Sequence, residues 1–340
     1  MQRVLVGVAI SVVAIFVTTS GCAIFEDEKA AKGRKLYRHY CMHCHGENGQ
    51  QAEGFNWDRM PDPRPRDLSE DAAMSTFTDE EIFNTISREM RDTSLPEVND
   101  DMNYFAVATM PTFKYTISEK DIWAIVGHVR SLHGGSLTYD IEGRKKQLED
   151  ELQAAKQEHE RVQQAYDAAQ AEIDAAEEAR AEAEEDDDMD MEDEDDEEIE
   201  NPQEEGLAKA EEKFETAKKA MDGFSKRPRR GQISRPDLTV SEDQRVALEE
   251  RGKHLYREQF GCHGCHSIDD QGGLVGPALD RAGFRLNGTW IYQWIMYPQG
   301  MKKHTRMPNL GLNDEDARAV TAYLNTLRAP KPDKPIPLPE

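Results

Sequence analysis

The sequence predicts an all-α protein in which two small helical domains are joined by a long helical (coiled-coil) hairpin with an acidic loop. Two observations predict it. Segments 28–135 and 241–328 repeat each other in motif and in order. Between them, residues 141–225 are rich in Ala, Glu, Lys and Gln, nearly free of Gly and Pro, and carry apolar residues in alternating steps of three and four. That rhythm is the seam of paired helices.

The chain has 340 residues, enough for two or three domains, with 37% hydrophobic and 32% charged residues. This suits a soluble chain with modest cores. The net charge of −25 argues against nucleic acid as a partner, because phosphate binding needs clustered Lys and Arg. It favours partners with a basic surface.

The N-terminus reads as an export signal. Gln2 and Arg3 precede an apolar run, Val4 to Val17, shorter than the roughly 20 residues of a membrane span but suited to a signal peptide. Thr19-Ser20-Gly21-Cys22 resembles a bacterial lipobox, with Thr19 where Leu is usual. Residues 1–21 are therefore expected to be a lipoprotein-type signal peptide and Cys22 the lipidated residue. The mature chain would face the periplasm, anchored to a membrane of the cell envelope.

The first globular segment, 28–135, opens with Gly33-Arg34-Lys35-Leu36-Tyr37-Arg38 on an amphipathic helix. Cys41-Met42-His43-Cys44-His45 follows, a C-x-x-C-H motif. The second segment, 241–328, repeats the order with Gly252-Lys253-His254-Leu255-Tyr256-Arg257, then Cys262-His263-Gly264-Cys265-His266. Two thiols three apart on a helical turn can each add to one haem vinyl group, and the adjacent His can bind the iron. The competing readings are a redox dithiol, which expects a βαβ context, and a Cys₄ zinc site, whose pairs would lie more than 200 residues apart. Two copies in an exported chain predict two covalently bound haem c groups, on Cys41 and Cys44 and on Cys262 and Cys265.

A sixth iron ligand is expected later in each segment. Met110-Pro111 and Met307-Pro308 each lie in a loop just before a helix, and the proline excludes a helical turn at the methionine. Met60, Met102, Met296, Met301 and His304 are the rivals. A closing helix follows each Met-Pro pair. Ser118-Glu119-Lys120-Asp121 opens one and Asn313-Asp314-Glu315-Asp316 the other, with the polar and acidic residues that cap helix N-termini.

Between the two segments, Ile141, Leu148, Leu152, Ala155, Val162, Tyr166, Ala169, Ile173 and Ala176 form the first seam, with His159 at a polar seam position. Leu207, Ala210, Phe214, Ala217, Met221 and Phe224 form the second, and an antiparallel hairpin results. The run Glu182–Glu200 supplies more than half the net charge and reads as a solvated loop. Residues 226–240 form a basic linker and 329–340 a proline-rich tail.

Both globular segments resemble class I cytochrome c domains. The resemblance implies His45 and His266 as proximal and Met110 and Met307 as distal ligands. It also implies a proline carbonyl behind each proximal His. Pro277 matches well; Pro65 is the nearest equivalent in the first segment, at longer spacing. His128 stands where the second segment has the helix-crossing aromatic Tyr323, and is expected to pack. A His/Met iron has no open site for substrate, and the thioether raises the potential. The expected role is electron transfer rather than catalysis. The implied partners are redox proteins such as a quinol-oxidising complex, a terminal oxidase or other cytochromes, together with the membrane through the lipid anchor.

Overall fold

The computed structural model describes residues 28–60, 64–90, 110–185, 200–228, 233 and 235–330. The signal peptide, Cys22, Met102, residues 186–199 of the acidic run and the tail from 331 lie outside the described residues.

The first domain is built on α1 (Glu28–Tyr40), α2 (Asp79–Ser87) and α3 (Glu119–Leu132). A capping box starts α2: the Thr78 hydroxyl accepts from the Glu81 amide, and the Glu81 carboxylate accepts from the Thr78 amide. Ser118 caps α3 by accepting from the Asp121 amide at 3.2 Å. Helices α1 and α3 cross at Gly33, where a Cβ would overlap the Ala124 carbonyl. Tyr37 is fully buried at the crossing, edge-on to the His128 ring at 4.9 Å. His128 thus packs as expected.

Asp79 and Arg130 lock this domain together. Both are buried, at 3% and 7% exposure, and Arg130 Nε donates to Asp79 at 2.6 Å. The other guanidinium nitrogens donate to the carbonyls of Met74 and Phe77. The second Asp79 oxygen accepts from the Thr138 amide and hydroxyl and from the Tyr139 amide. One carboxylate therefore joins the start of α2, the end of α3 and the strand of chain entering the hairpin.

The hairpin consists of α4 (Ile141–Glu185) and α5 (Glu204–Ser225). With 45 residues, α4 is roughly 67 Å long. Asn201 Nδ2 donates to the Tyr166 carbonyl and to Gln170, and the His159 ring stacks on Phe214. Rising numbers on one helix meet falling numbers on the other, so the pair is antiparallel. Leu148, Ala155, Ala210 and Phe224 are buried in the seam, but Ala176 is exposed. It lies beyond Gln170, where the returning chain has already met α4. The base of the hairpin is not a separate module: Ile141, Leu148 and Phe224 join the core of the first domain with Ile122 and Val126.

The second domain repeats the first with α6 (Glu242–His254), α7 (Gly288–Met296) and α8 (Asp314–Thr326). Ser241 and Gln244 form a capping box on α6; Asn287 and Asn313 cap α7 and α8. After His254 the helix widens by one residue, with the Phe260 amide donating to Leu255 at 2.9 Å. Two short antiparallel strands, β1 (Ser267–Ile268) and β2 (Gln271–Gly272), follow the second C-x-x-C-H motif.

Helices α6 and α8 cross at Gly252, where a Cβ would overlap the Ala319 carbonyl. The clash is with backbone, so neither helix can yield by a rotamer change. Gly252→Ala is expected to lose about 1–3 kcal/mol of second-domain stability by overpacking, although Ala is the better helix former. Gly223→Ala in α5, where a Cβ meets nothing within 4 Å among the described residues, is expected to be neutral or stabilising. Thermal unfolding of the two variants checks the contrast.

The two domains touch directly. Asn56 is fully buried, donating to the Gly264 carbonyl at 3.0 Å and accepting from the Leu274 amide at 2.5 Å. The Asn309 amide donates to the Thr116 hydroxyl, and Arg227 from the linker donates to the Thr116 carbonyl. The returning hairpin arm and its linker bring the second domain back against the first.

Candidate functional site

Each C-x-x-C-H motif forms one tight helical turn. The His45 amide donates to the Cys41 carbonyl at 3.0 Å, and the His266 amide to the Cys262 carbonyl at 3.0 Å. That turn brings two thiols and one imidazole to a single cavity wall. Cys41, Cys44, His45 and Met110 line a cavity of about 530 Å³. Cys262, Cys265, His266 and Met307 line a second of about 540 Å³. Both volumes fall in the cofactor-pocket range of roughly 300–1,000 Å³.

His266 Nδ1 lies 2.8 Å from the Pro277 carbonyl. His45 Nδ1 lies 3.2 Å from the carbonyl of Arg66, not of Pro65. A carbonyl can only accept, so Nδ1 carries the proton and Nε2 keeps its lone pair for a metal. The correction from Pro65 has a simple cause. The Leu68 amide donates to Gly49 and the Leu279 amide to Ser267, so a leucine anchors each loop. Arg66 and Pro277 are each two residues before that leucine. Pro65 falls instead at the place of Gly276 and lines the cavity.

Burial pulls both proximal histidines below the ordinary imidazole pKa, opposed by the carbonyl contact, so they are neutral at pH 7. Burial also pushes the thiols of Cys41, Cys262 and Cys265 up to about 12, and raises Cys44. A redox dithiol works through a lowered thiol pKa, the opposite of these surroundings, and among the described residues no three His, Cys, Asp or Glu side chains gather as a zinc site requires.

The loops bearing Met110 and Met307 are held alike. Arg88 donates to the Met110 carbonyl at 2.5 Å, and Gln299 to the Met307 carbonyl at 2.7 Å. Their sulfurs differ: the Trp294 indole N–H donates to Met307 Sδ at 2.8 Å. The first cavity also contains Met60, whose sulfur accepts from Asn56 at 2.7 Å. Among the rivals in the second domain, His304 lines the cavity from an exposed position, whereas Met296 packs in the core and Met301 is exposed. Trp290 and Trp294 line the second cavity, stacked at 5.1 Å. Trp57 and Trp123 line neither.

Three features fit an iron porphyrin. The thiols are free and paired at the right spacing. Among the described residues, Arg88 Nε in the first cavity is buried without a partner, a donor suited to a carboxylate-bearing ligand. Gly276 lies so close to the His266 ring that a Cβ there would overlap it, so the glycine makes room for the imidazole. Arg88, Trp294, Asn56 and Arg66 belong to no sequence motif. The one signal for Trp294 is its place near the end of the helix before the Met-Pro loop.

Fold and site together define a two-domain c-type cytochrome. A cytochrome c family model matches residues 30–133 and 249–328, over half of the chain, and the chain belongs to that family. Its two domains carry covalent haem c, and its function is haem-based electron transfer. No curated protein and no solved structure matches the chain significantly.

Proposed function

We propose that this chain is an exported, lipid-anchored dihaem carrier that passes single electrons between respiratory partners through two His/Met-ligated haems. His45 with Met110 and His266 with Met307 are the ligand pairs. Cys22 carries the lipid and holds the carrier at the periplasmic face. A quinol-oxidising complex, a terminal oxidase or another cytochrome is the donor or acceptor. Bound haem supplies a reversible one-electron Fe(III)/Fe(II) couple.

The observation that carries the reading is the donor set that lines both cavities. Each has a neutral imidazole backed by a carbonyl on one set of elements and a thioether on a clamped Met-Pro loop. The residues between the two sites add to it. Cys265, Val275, Arg306 and Pro308 line the first cavity as well as the second, so the cavities share a wall. Adjacent cofactors suit a relay of electrons between the domains.

A redox titration tests it. Two one-electron steps are expected. With Met307 as the ligand, the Trp294 indole donor would draw density from the sulfur and so favour Fe(II). In Trp294→Phe the potential of one haem is expected to fall by tens of mV, on the scale of one hydrogen bond, while the other stays fixed. A shift of both, or of neither, contradicts the assignment of Met307.

A further inference from the structure

A groove beside the cofactor cavities breaks the charge pattern of the rest of the molecule. Lys32, Lys35 and Arg38 on α1, Arg227 from the linker, and Lys303 and Arg306 from the second domain line it, and among the described residues no carboxylate does. The four lysine and arginine side chains of α1 and the second-domain loop that matter most here, Lys32, Lys35, Lys303 and Arg306, are exposed. Two of the cations have carboxylate partners at the rim, Lys32 at 3.4 Å from Asp121 and Arg38 at 3.1 Å from Glu47, and Arg227 donates to the carbonyls of Thr116 and Lys303. Even so, the floor collects positive charge from three separate parts of a chain whose net charge is −25.

The groove adjoins the chemistry. His39, His304 and Arg306 line both the groove and the second cofactor cavity; Tyr40 and Arg306 line both the groove and the first. Burial and the neighbouring Arg306 and Arg227 hold His39 below the usual imidazole pKa, consistent with a cationic surround. A partner seated here would approach both cofactors at the junction of the domains.

We propose that this groove is the electron-exchange face of the protein and that it takes an acidic redox protein. The proposal rests on the carrier reading and adds its docking surface. A basic surface next to a redox centre raises the local concentration of anionic partners and speeds encounter, and salt weakens the effect. The reading of the sequence pointed to partners with a basic surface, because net charge averages over the hairpin. The local field at the cofactors has the opposite sign.

Stopped-flow oxidation of the reduced holoprotein by small complexes of opposite charge tests this. Ferricyanide takes one electron from Fe(II) haem and becomes ferrocyanide; tris-phenanthroline cobalt(III) does the same as a cation. If the groove governs exchange, the ferricyanide rate falls as salt rises, and the cobalt rate does not. In the double variant Lys35→Glu with Lys303→Glu the ferricyanide rate at low salt is expected to drop by roughly tenfold. The absorption spectrum of that variant should match the parent. Lys209→Glu with Lys218→Glu on the hairpin is expected to change nothing. A ferricyanide rate that rises with salt would mean that the overall charge governs, and would overturn the docking face while leaving the carrier intact. Absence of oxidation by either reagent would overturn the carrier reading, and this one with it. Binding to phosphatidylglycerol vesicles that is lost in the groove variant, with unchanged oxidation rates, would assign the groove to lipid headgroups instead.

Discussion

Replacing Cys262 and Cys265 together with alanine is expected to halve the haem content, from two per chain to one, and to unfold the second domain. The cavity that these thiols line measures about 540 Å³ and is walled by Leu286, Ile295, Leu310, Val320 and Leu324. A space of this size far exceeds the single-side-chain cavities that already cost about 3–5 kcal/mol, and leaving its apolar walls unpacked rivals the roughly 5–15 kcal/mol stability of a typical domain. No side-chain rearrangement fills a space of that size, so the domain collapses or opens. Cys41→Ala with Cys44→Ala should do the same to the first domain. The haem-to-protein ratio and near-ultraviolet circular dichroism read the outcome. A folded second domain without its haem would contradict the account.

The second large effect is expected at Asp79. Asp79→Ala strips Arg130 of its counter-charge while leaving the guanidinium buried, and frees the Thr138 and Tyr139 amides. Breaking one side of a buried pair costs about 3–5 kcal/mol. Burial by itself would raise the Asp79 pKa, but hydrogen bonds from Thr138 and Arg130 outweigh it and hold the carboxyl below its ordinary value. The sign follows from that depression. The carboxylate contributes its full stability above the unfolded-state pKa of about 3.9, and loses it as the pH falls through the lower folded-state value. The first domain of the parent should therefore weaken progressively below about pH 4. The Asp79→Ala variant should start weaker at neutral pH and show a shallower acid dependence. Urea unfolding at pH 7 and at pH 3.5, followed by the fluorescence of Trp123, measures both. Equal slopes in parent and variant would remove Asp79 from the acid response.

The parts of this structure that sequence reasoning reached are those where chemistry fixes spacing. Cys41, Cys44 and His45 must share one helical turn, and so must Cys262, Cys265 and His266. Ser118 and Asn313 cap their helices because a short polar side chain can reach the third amide on. Gly33 and Gly252 mark crossings because any side chain there would meet backbone.

What sequence reasoning missed depends on distant segments meeting. Pro65 was the wrong carbonyl because the loop is registered from Leu68, whose amide donates to Gly49, and not from His45. Asn56 carries no motif, yet it is fully buried between domains and bonded to residues more than 200 positions away. The seam predicted a hairpin, but the early end of pairing near Gln170 follows from where the chain returns at Asn201. The basic groove was hidden for a related reason: it is assembled from α1, the linker and the second domain, each unremarkable alone.

The central claim is that a methionine closes the sixth position of both irons. The most direct test is the absorption spectrum of the purified holoprotein, oxidised, then reduced, then exposed to carbon monoxide. The account predicts two low-spin haems per chain, a methionine–Fe(III) charge-transfer band of two-site intensity, and no change with carbon monoxide. A high-spin signal, or a haem that binds carbon monoxide, would mean an open iron. The assignment of Met110 or Met307 would then fail for that domain, and a catalytic role would replace that of a carrier.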